Sequence, residues 1–200
     1  MKLQKLLSLT RQAIDEYGMI QENDKIAVGI SGGKDSLTLL YALSCLRKFY
    51  PHKFDIVAVT VDLGFDNLNL DGIRKFCKER DVEYHVIKTQ IAEVVFHIRE
   101  ESNPCSLCAK MRKGALNDAV KELGCNKVAY AHHKDDLLES MMMSFLFEGR
   151  IHTFAPVTYL DRSGITVIRP LLFLYEGDVK GFVKEYHLST VSNEVRIIFR

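Results

Sequence analysis

The sequence predicts an α/β domain built on a doubly wound parallel sheet, and two observations lead to this fold class. Apolar runs of strand type alternate with runs of helical spacing along most of the 200-residue chain. The run from Phe54 to Val61 is nearly continuous and rich in β-branched residues, which is typical of a strand that helices cover on both faces. Because strands that alternate with helices are joined by right-handed crossovers, we expect a parallel sheet. The length suits one such domain with a sizeable core.

The first half of the chain supplies three helices and three strands. An amphipathic helix is predicted for residues 2–17, because Leu3, Leu6, Leu7 and Ile14 recur at helical spacing and Gly18 can end it. The other elements follow from the same two periodicities. They are strands over residues 25–30, 54–61 and 83–88, and helices that begin near residue 37 and cover about residues 69–80.

The second half adds a helix, a strand and a further helix. Residues 89–104 show no regular pattern. A helix is predicted from Cys105 to about Leu123, with Gly124 as its left-handed C-terminal residue. The fourth strand, residues 127–131, runs directly into the charged segment 132–136 and the next helix.

Composition and charge limit the classes of function. The net charge of +1 gives no global nucleic-acid signature, so RNA would have to bind through a local patch or a partner. The first seventeen residues carry charges throughout and contain no long apolar run, which predicts a cytoplasmic protein without a signal peptide or membrane span. The five cysteines are an odd number, and in a reducing compartment we expect thiols rather than disulfides.

The loop Ser31-Gly32-Gly33-Lys34-Asp35-Ser36 joins the first strand to the second helix. Glycines let successive N–H groups point into one concavity, and the following helix adds the positive end of its dipole, so the segment can bind phosphate. It is not a Walker A loop, because three residues separate Gly29 from Gly33 and Asp35 stands between Lys34 and Ser36. The structural alternative is a tight turn in which Asp35 and Ser36 cap the helix.

Three loops that follow strands, after residues 30, 61 and 131, are predicted to meet at one edge of the sheet. In doubly wound sheets, ligands bind outside the carboxyl ends of the strands. Asp62 closes the second strand, where the backbone of its loop could clamp the edge of a nucleobase. A simple turn with Gly64 explains Asp62 equally well.

The segment His132-His133-Lys134-Asp135-Asp136 has three interpretations. Two carboxylates at the start of a helix can serve as caps. Two histidines and two aspartates could also bind a metal, although neighbouring strand residues point to opposite sides. In the third interpretation, the segment helps to hold ATP and Mg²⁺, which prefers carboxylate and phosphate oxygens.

The segment Pro104-Cys105-Ser106-Leu107-Cys108 places two thiols at a helix N-terminus, where the dipole lowers thiol pKa values. A redox pair, a zinc site and an iron–sulfur cluster held by three thiolates are the alternatives. A redox pair of the thioredoxin type would follow a first strand, and zinc normally needs a second pair of ligands. Cys45 stands among leucines, and we expect it to pack in the core. Helical spacing likewise predicts core packing for the series Leu137, Leu138, Met141, Met142 and Phe145.

These motifs, in this order, resemble the PP-loop ATP pyrophosphatases, and among them the tRNA 2-thiocytidine synthetases. The S-G-G-K-D-S loop, the P-C-S-L-C segment and H-H-K-D-D carry the resemblance, with Ala131 where the family has glycine. Similar stretches are Phe147-Glu148-Gly149-Arg150, residues 167–172 and residues 176–178. The resemblance implies an adenine nucleotide α-hydrolase-like fold, with an N-terminal helix (1–20), a PP-loop domain (21–193) and an atypical tail (194–200).

The resemblance also implies a reaction and its residues. ATP with Mg²⁺ adenylates the C2 oxygen of a cytidine in the tRNA anticodon loop, and sulfur then displaces AMP. Lys34, Asp35, Cys105 and Cys108 would be catalytic, Asp35 would bind Mg²⁺, and both cysteines would bind a 4Fe–4S cluster. The implied nucleotide-binding residues are Ser31, Gly32, Gly33, Lys34, Asp35, Ser36, Asp62, Ala131, His132 and Asp136.

The resemblance further implies tRNA, a sulfur donor such as a cysteine desulfurase, and a second copy of the chain as partners. Candidate tRNA phosphate contacts are Lys110, Arg112, Lys113, Arg150 and Arg169. The family carries a third cluster cysteine near the C-terminus, whereas no cysteine follows Cys125 here, so Cys125 is a candidate substitute. Two other functions stay open, namely amine ligation like that of tRNA(Ile)-lysidine synthase and a nucleotide-binding sensor without catalysis.

Overall fold

The computed structural model describes residues 1–65, 69–95 and 104–189. Its helices are α1 (Leu3–Glu16), α2 (Lys34–Leu46), α3 (Asp71–Glu79), α4 (Ile91–Glu93), α5 (Pro104–Glu122), α6 (Lys134–Glu148) and α7 (Glu176–Glu185). Its strands are β1 (Asp24–Gly29), β2 (Phe54–Asp62), β3 (Glu83–Lys88), β4 (Lys127–Ala129), β5 (Val157–Leu160) and β6 (Ile165–Ile168). The α/β alternation predicted from the sequence is confirmed.

The six strands form one sheet in the order β3-β2-β1-β4-β6-β5. All neighbours are parallel except β5, which pairs antiparallel with β6 at the edge. Strand order reverses at β1, which has β2 on one side and β4 on the other. The loops after β1 and β4 therefore diverge at the topological switch point, where such sheets bind ligands. The two strands β5 and β6, each four residues long, were not predicted from the sequence.

The sheet has a hydrophobic core on each face. On one face α1, α2 and α7 cover the sheet with fully buried residues such as Leu6, Leu39 and Phe182. On the other face α5 contributes Leu116 and Val120 to a second core, which also contains alternate residues of β2. The doubly wound arrangement is thus confirmed, and it places α5 over one face of the strands whose loops carry the motifs.

The N-terminal helix shares the first of these cores, since Leu6, Ala13 and Ile14 are completely buried in it. The division of the chain at residues 20 and 193 stays a prediction, and the predicted tail 194–200 lies outside the described residues. Within the described part of the chain, no helix is long and apolar enough to cross a bilayer.

A buried ion pair joins β1 to β4 at the amino edge of the sheet, opposite the motif loops. Lys127 Nζ lies 2.7 Å from Asp24 Oδ2 and donates a further hydrogen bond of 2.8 Å to the Met19 carbonyl. Asp24 also accepts hydrogen bonds from the Gln21 backbone N–H and from Asn126 Nδ2. Both charged side chains are buried, so each depends on the other for compensation.

The prediction that the apolar series on α6 packs in the core is wrong for three of its members. The exposed fractions of Leu138, Met142 and Phe145 are 43%, 49% and 54%, whereas Leu137 packs against the core. Helical spacing identified the apolar face but could not tell what covers it. In the structure only one side of α6 contacts the rest of the described chain.

Candidate functional site

The loop after β1 is closed by its own serines. The Ser31 backbone N–H donates to Ser36 Oγ at 3.2 Å, and the Gly33 N–H donates to Ser31 Oγ at the same distance. Ser36 Oγ in turn donates to the Gly33 carbonyl at 3.0 Å. Gly32 has a φ of +76°, a left-handed conformation that favours glycine. The two serines therefore fix the loop in a tight curve.

Helix α2 begins at Lys34 without a capping side chain, because its N-cap residue is Gly33. The capping interpretation therefore does not describe Asp35 and Ser36, which lie within the first turn. The first N–H groups of a helix lack partners inside the helix and carry the positive end of its dipole. This helix start, together with the glycine loop, suits an anion such as a phosphate group.

Lys34 is held between two carboxylates. Its Nζ lies 2.9 Å from Asp35 Oδ2 and 3.1 Å from Glu176 Oε1, at the start of α7. Burial lowers the pKa of the Lys34 ammonium, but the two carboxylates outweigh burial and the pKa is raised. Hydrogen bonds from Lys180 and Lys34 lower the pKa of Glu176 to about 2. Lys34 is thus a fixed cation beside the loop at neutral pH.

The carboxylates after β4 hold helix starts together. Asp136 accepts a hydrogen bond of 2.7 Å from the His133 backbone N–H and so caps α6, as one of the three interpretations expected. Asp135 accepts a hydrogen bond of 2.6 Å from the Glu176 backbone N–H and thereby ties α6 to α7. The His133 ring is buried, with Nε2 3.8 Å from Asp35 Oδ1. These contacts bring the segment after β4 against the loop after β1.

One carboxylate oxygen at this junction lacks a protein partner. Asp35 Oδ1 is buried and accepts no hydrogen bond from any residue that the structure describes, and His133 Nε2 is too distant to donate one. A carboxylate oxygen beside a phosphate-binding loop suits a hard cation such as Mg²⁺, which combines protein and phosphate oxygens. The donor chemistry of Asp35 therefore fits Mg²⁺.

A cavity of about 430 Å³ opens over the loop at the carboxyl edge of the sheet. Predicted site residues that line it are Ser31, Asp35, Ser36, Ala131, His132 and Asp136. Additional lining residues are Val59 and Val61 of β2, Ala109, Arg112, Lys113 and Leu116 of α5, and Tyr130 and Arg169. The loops after β1 and β4 thus border one cavity, and α5 forms its outer wall. Among the described residues, β2 contributes strand residues to the lining rather than the loop that follows it.

Asp62 lies just beyond the lining of this cavity, as far as the described residues show. Its Oδ1 accepts a hydrogen bond of 3.0 Å from the Gly64 N–H, and its carbonyl accepts bonds from both the backbone N–H and the hydroxyl of Thr89. A Cβ on Gly64 would lie 2.8 Å from the Thr89 carbonyl, so only glycine fits there. The turn predicted as the alternative is present, and nucleobase contact by Asp62 stays a prediction.

The cysteine motif opens α5, the helix that forms the outer wall. Cys105 stands in its first turn, four residues before Ala109, and Cys108 is four residues before Arg112. Cys108 is 3% exposed and belongs to the core between α5 and the sheet. Among the described cysteine side chains, Cys45, Cys77, Cys108 and Cys125 form no disulfide.

Cys125 cannot complete a cluster with the other two cysteines. It follows the far end of α5, roughly 20 Å along the helix from Cys108 at 1.5 Å per residue. Burial also raises the pKa of the Cys125 thiol. Cys45 and Cys77 pack in the core on the opposite face of the sheet. Among described residues no group of three metal-ligating side chains exists, so the proposed substitution by Cys125 is wrong.

The end of the cavity opposite β2 is cationic and aromatic. Arg112 and Arg169 flank Tyr130, and burial lowers the pKa of both guanidinium groups without removing their charge. Burial and the nearby Arg169 charge lower the pKa of His132, which is therefore neutral at pH 7.

Of the candidate tRNA contacts, Arg150 is exposed and pairs with Glu148. Two features of the site were not predicted from the sequence, because each joins distant segments of the chain. They are the contact of Glu176 with Lys34 and the hydrogen bond that anchors Arg169.

Comparison with known proteins gives a consistent result. A family model described as a PP-loop domain matches residues 3–195. The tRNA-cytidine(32) 2-sulfurtransferase of Geobacter sulfurreducens is 36% identical over 95% of this chain and 74% of its own length. That of Geobacter metallireducens is 38% identical over 87% of this chain and 68% of its own.

Solved structures of known proteins resemble this chain in fold. The U34-tRNA thiolase of Methanococcus maripaludis, with its 4Fe–4S cluster, has a TM-score of 0.75 and 26% identity over 94% of this chain. The match covers 64% of the thiolase, so this chain spans just under two thirds of it. The NH3-dependent NAD synthetase of Campylobacter jejuni, at 20% identity and a TM-score of 0.58, shares the fold over 99% of this chain and 77% of its own. With a family match over nearly its whole length and relatives above one-third identity, this protein belongs to the PP-loop family, in the group of the tRNA-cytidine(32) 2-sulfurtransferases.

Proposed function

We propose that this protein is an ATP-dependent tRNA thiolase that replaces the C2 oxygen of cytidine 32 with sulfur. One observation carries the proposal: the phosphate-binding loop and the helix opened by Pro104-Cys105-Ser106-Leu107-Cys108 border the same cavity. Membership of the PP-loop family implies ATP binding, and the relatives' name supplies the tRNA nucleotide. The nucleotide-binding role of residues 31–36, Asp62, Ala131, His132 and Asp136 is part of this proposal.

In the first stage, the cytidine C2 oxygen attacks the α-phosphorus of ATP, and the bond to pyrophosphate breaks. The largest charge develops on the departing pyrophosphate. The unpaired amides at the start of α2 and the Lys34 ammonium lie where they can stabilise it. Asp35 would hold Mg²⁺, which supplies Lewis-acid stabilisation of the phosphate oxygens when bound. The target base must leave its stack to reach the cavity, which is easiest in a single-stranded loop.

In the second stage, a sulfur nucleophile at the oxidation level of sulfide bonds to C2, and the bond from C2 to the AMP oxygen breaks. AMP leaves with the bonding electron pair, and the proton of the sulfur nucleophile passes to solvent, so no external oxidant is needed. We propose that the sulfur comes from the persulfide of a donor such as a cysteine desulfurase. Its outer sulfur is reduced by two electrons to the level of sulfide while the thiols of Cys105 and Cys108 are oxidised to a disulfide, which an external thiol then reduces. A cluster held by three thiolates does not fit these residues, because Cys105 and Cys108 are the two cysteines that the sequence places on the helix α5, whose later residues wall the cavity. No step is therefore assigned to a cluster.

The position of the cysteines favours thiolation over amine ligation. Amine attack at the same activated carbon requires no thiol, whereas Cys105 and Cys108 open the helix that walls the cavity. A sensor without catalysis would use the same nucleotide site, and release of pyrophosphate distinguishes it from an enzyme. A cytoplasmic location also stays a proposal, consistent with the use of tRNA as substrate.

Alanine at Cys105 or Cys108 is expected to separate the two stages. We expect each variant to release pyrophosphate at the wild-type rate in a single turnover with ATP and tRNA carrying cytidine 32, because the phosphate loop is intact. Both should form no 2-thiocytidine, which mass spectrometry of nuclease digests measures. Cys45→Ala, a change on α2 away from the cavity, is the matched control and should retain both steps.

Two results would contradict this assignment. Absence of pyrophosphate release by folded wild-type protein with this tRNA excludes both enzymatic functions and leaves the sensor. Full thiolation by both alanine variants removes the cysteines from the reaction. Iron and sulfide analysis of anaerobically purified protein, with melting temperatures of all variants, completes the experiment. Iron that disappears in both variants would show a cluster bound through both cysteines and through a further ligand other than Cys125.

We also propose a homodimer, and the apolar face of α6 is the surface that we assign to it. The exposed fractions are 43–79% for six residues of α6 and for Ile151, which follows the helix; the six are Leu138, Met142, Met143, Phe145, Leu146 and Phe147. The area that they expose is on the order of 800 Å², about one partner's share of a standard interface. Glu139 is the only charged residue between positions 138 and 147, so each copy brings a single charge to an otherwise apolar interface.

Glutamate at Phe145 is expected to convert the dimer to a monomer, because it places a charge in the centre of this apolar surface. Analytical ultracentrifugation at micromolar concentration measures the change. Phe49→Glu is the matched control, since Phe49 is 56% exposed and Phe145 54%, and it should leave the dimer intact. A monomeric wild-type protein, or a dimeric Phe145→Glu variant, would refute the assignment.

A further inference from the structure

We propose that Arg169 reads the Watson–Crick edge of the target cytosine and so distinguishes cytidine from uridine. This inference rests on the proposed function and concerns the end of the same cavity that lies farthest from β2.

The cavity has one end for ATP and one for the second substrate. The phosphate loop follows β1, and Val59 and Val61 of the neighbouring β2 give that side an apolar lining suited to adenine. Arg169 follows β6, which lies two strands from β1 on the other side, or about 10 Å at the usual spacing of strands. The cationic and aromatic end beside Arg169 is therefore left for the tRNA nucleotide.

Arg169 is anchored by the segment that leads into β5. Its Nη1 donates to the Ala155 carbonyl and lies 3.3 Å from Thr158 Oγ1. Its guanidinium carbon lies 4.8 Å from the ring centroid of Phe154, and that ring is 4.9 Å from the ring of His132. These contacts occupy Nη1 and one face of the guanidinium plane. The group is thus held in one orientation before any ligand binds, which reduces the entropy lost on binding.

The remaining edge of the guanidinium consists of Nε and Nη2. Nε is buried and has no hydrogen-bond partner in the described part of the chain, which is a costly state for a charged donor unless a ligand supplies an acceptor. Two parallel N–H donors match a pair of adjacent acceptors. Cytosine presents N3 and O2 as such a pair, whereas uracil presents an N3–H donor beside O2. The free edge therefore accepts cytosine and opposes uracil, provided that the base is unstacked.

The experiment measures kcat/KM for pyrophosphate release on two tRNA transcripts that differ only at nucleotide 32, which is cytidine or uridine. We expect wild-type protein to prefer cytidine. Arg169→Lys keeps the charge but loses the two-donor edge, and should reduce this preference by about 5- to 150-fold, the range for one bidentate pair. ATP binding without tRNA should be unchanged. Thr158→Val, which removes one anchor, should reduce the preference in the same direction by less.

Arg162→Lys is the matched control, because Arg162 is exposed in the turn between β5 and β6. It should retain the full preference. Equal loss on both transcripts by Arg169→Lys would assign Arg169 a general structural role, and weaker ATP binding would place it in the nucleotide site. Either result overturns the inference and leaves the proposed function standing. Wild-type protein that releases pyrophosphate with neither transcript refutes the proposed function, and the inference falls with it.

Discussion

Alanine at Asp35 is expected to abolish tRNA-dependent pyrophosphate release while leaving the fold intact. Asp35 Oδ2 fixes Lys34 at 2.9 Å, and the unpartnered Oδ1 is the oxygen that suits Mg²⁺. Loss of one preorganised electrostatic group typically costs 10²–10³-fold in rate, and Asp35→Ala removes one and misplaces another, so we expect a loss of roughly 10³-fold or more. Stability should fall only by the first-turn interaction with the helix dipole, about 0.3–1 kcal/mol.

The matched control is Asp71→Ala, because Asp71 occupies the first turn of α3 as Asp35 does in α2. Both variants should lose similar stability, but only Asp35→Ala should lose pyrophosphate release in a single turnover. Asp35→Asn keeps the shape and removes the charge, so it should be nearly as inactive. Unchanged turnover in Asp35→Ala would remove this residue from the mechanism, even if the nucleotide still binds.

The phosphate loop could be predicted from the sequence because everything that forms it is local. β1, the loop and the start of α2 occupy adjacent segments, and the two serines that close the curve are five residues apart. Backbone requirements of this kind leave residue types at fixed spacing. The same applies to Asp136, whose capping bond spans three residues.

The partners of this loop could not be predicted, because they come from distant segments. Glu176 reaches Lys34 from the start of α7, and Arg169 is fixed by contacts from the segment before β5. Neither pairing leaves a periodic signal in the sequence. The exposure of Phe145 was missed for a related reason, since an apolar helical face has the same pattern whether its own chain or another copy covers it.

Methionine at Lys127 is expected to destabilise the protein by about 3–5 kcal/mol, the usual cost of leaving a buried charge without its partner. Asp24 would keep its hydrogen bonds to Gln21 and Asn126, which moderates the loss toward the lower end. The free energy of unfolding in urea at pH 7 measures the effect. The double variant Asp24→Asn, Lys127→Met removes both charges, and should recover part of the stability that the single variant loses.

An exposed ion pair on α1 supplies the control for Lys127→Met. Arg11 and Asp15 are 3.3 Å apart on α1 with both side chains nearly half exposed, so Arg11→Met should cost no more than about 0.5 kcal/mol. If Lys127→Met is as mild as this control, the buried pair does not hold β1 to β4. Because the pair lies at the amino edge and both motif loops leave the carboxyl edge, Lys127→Met protein below its melting temperature should still release pyrophosphate. Loss of activity in folded Lys127→Met protein would mean that strain at one edge of the sheet reaches the loops at the other.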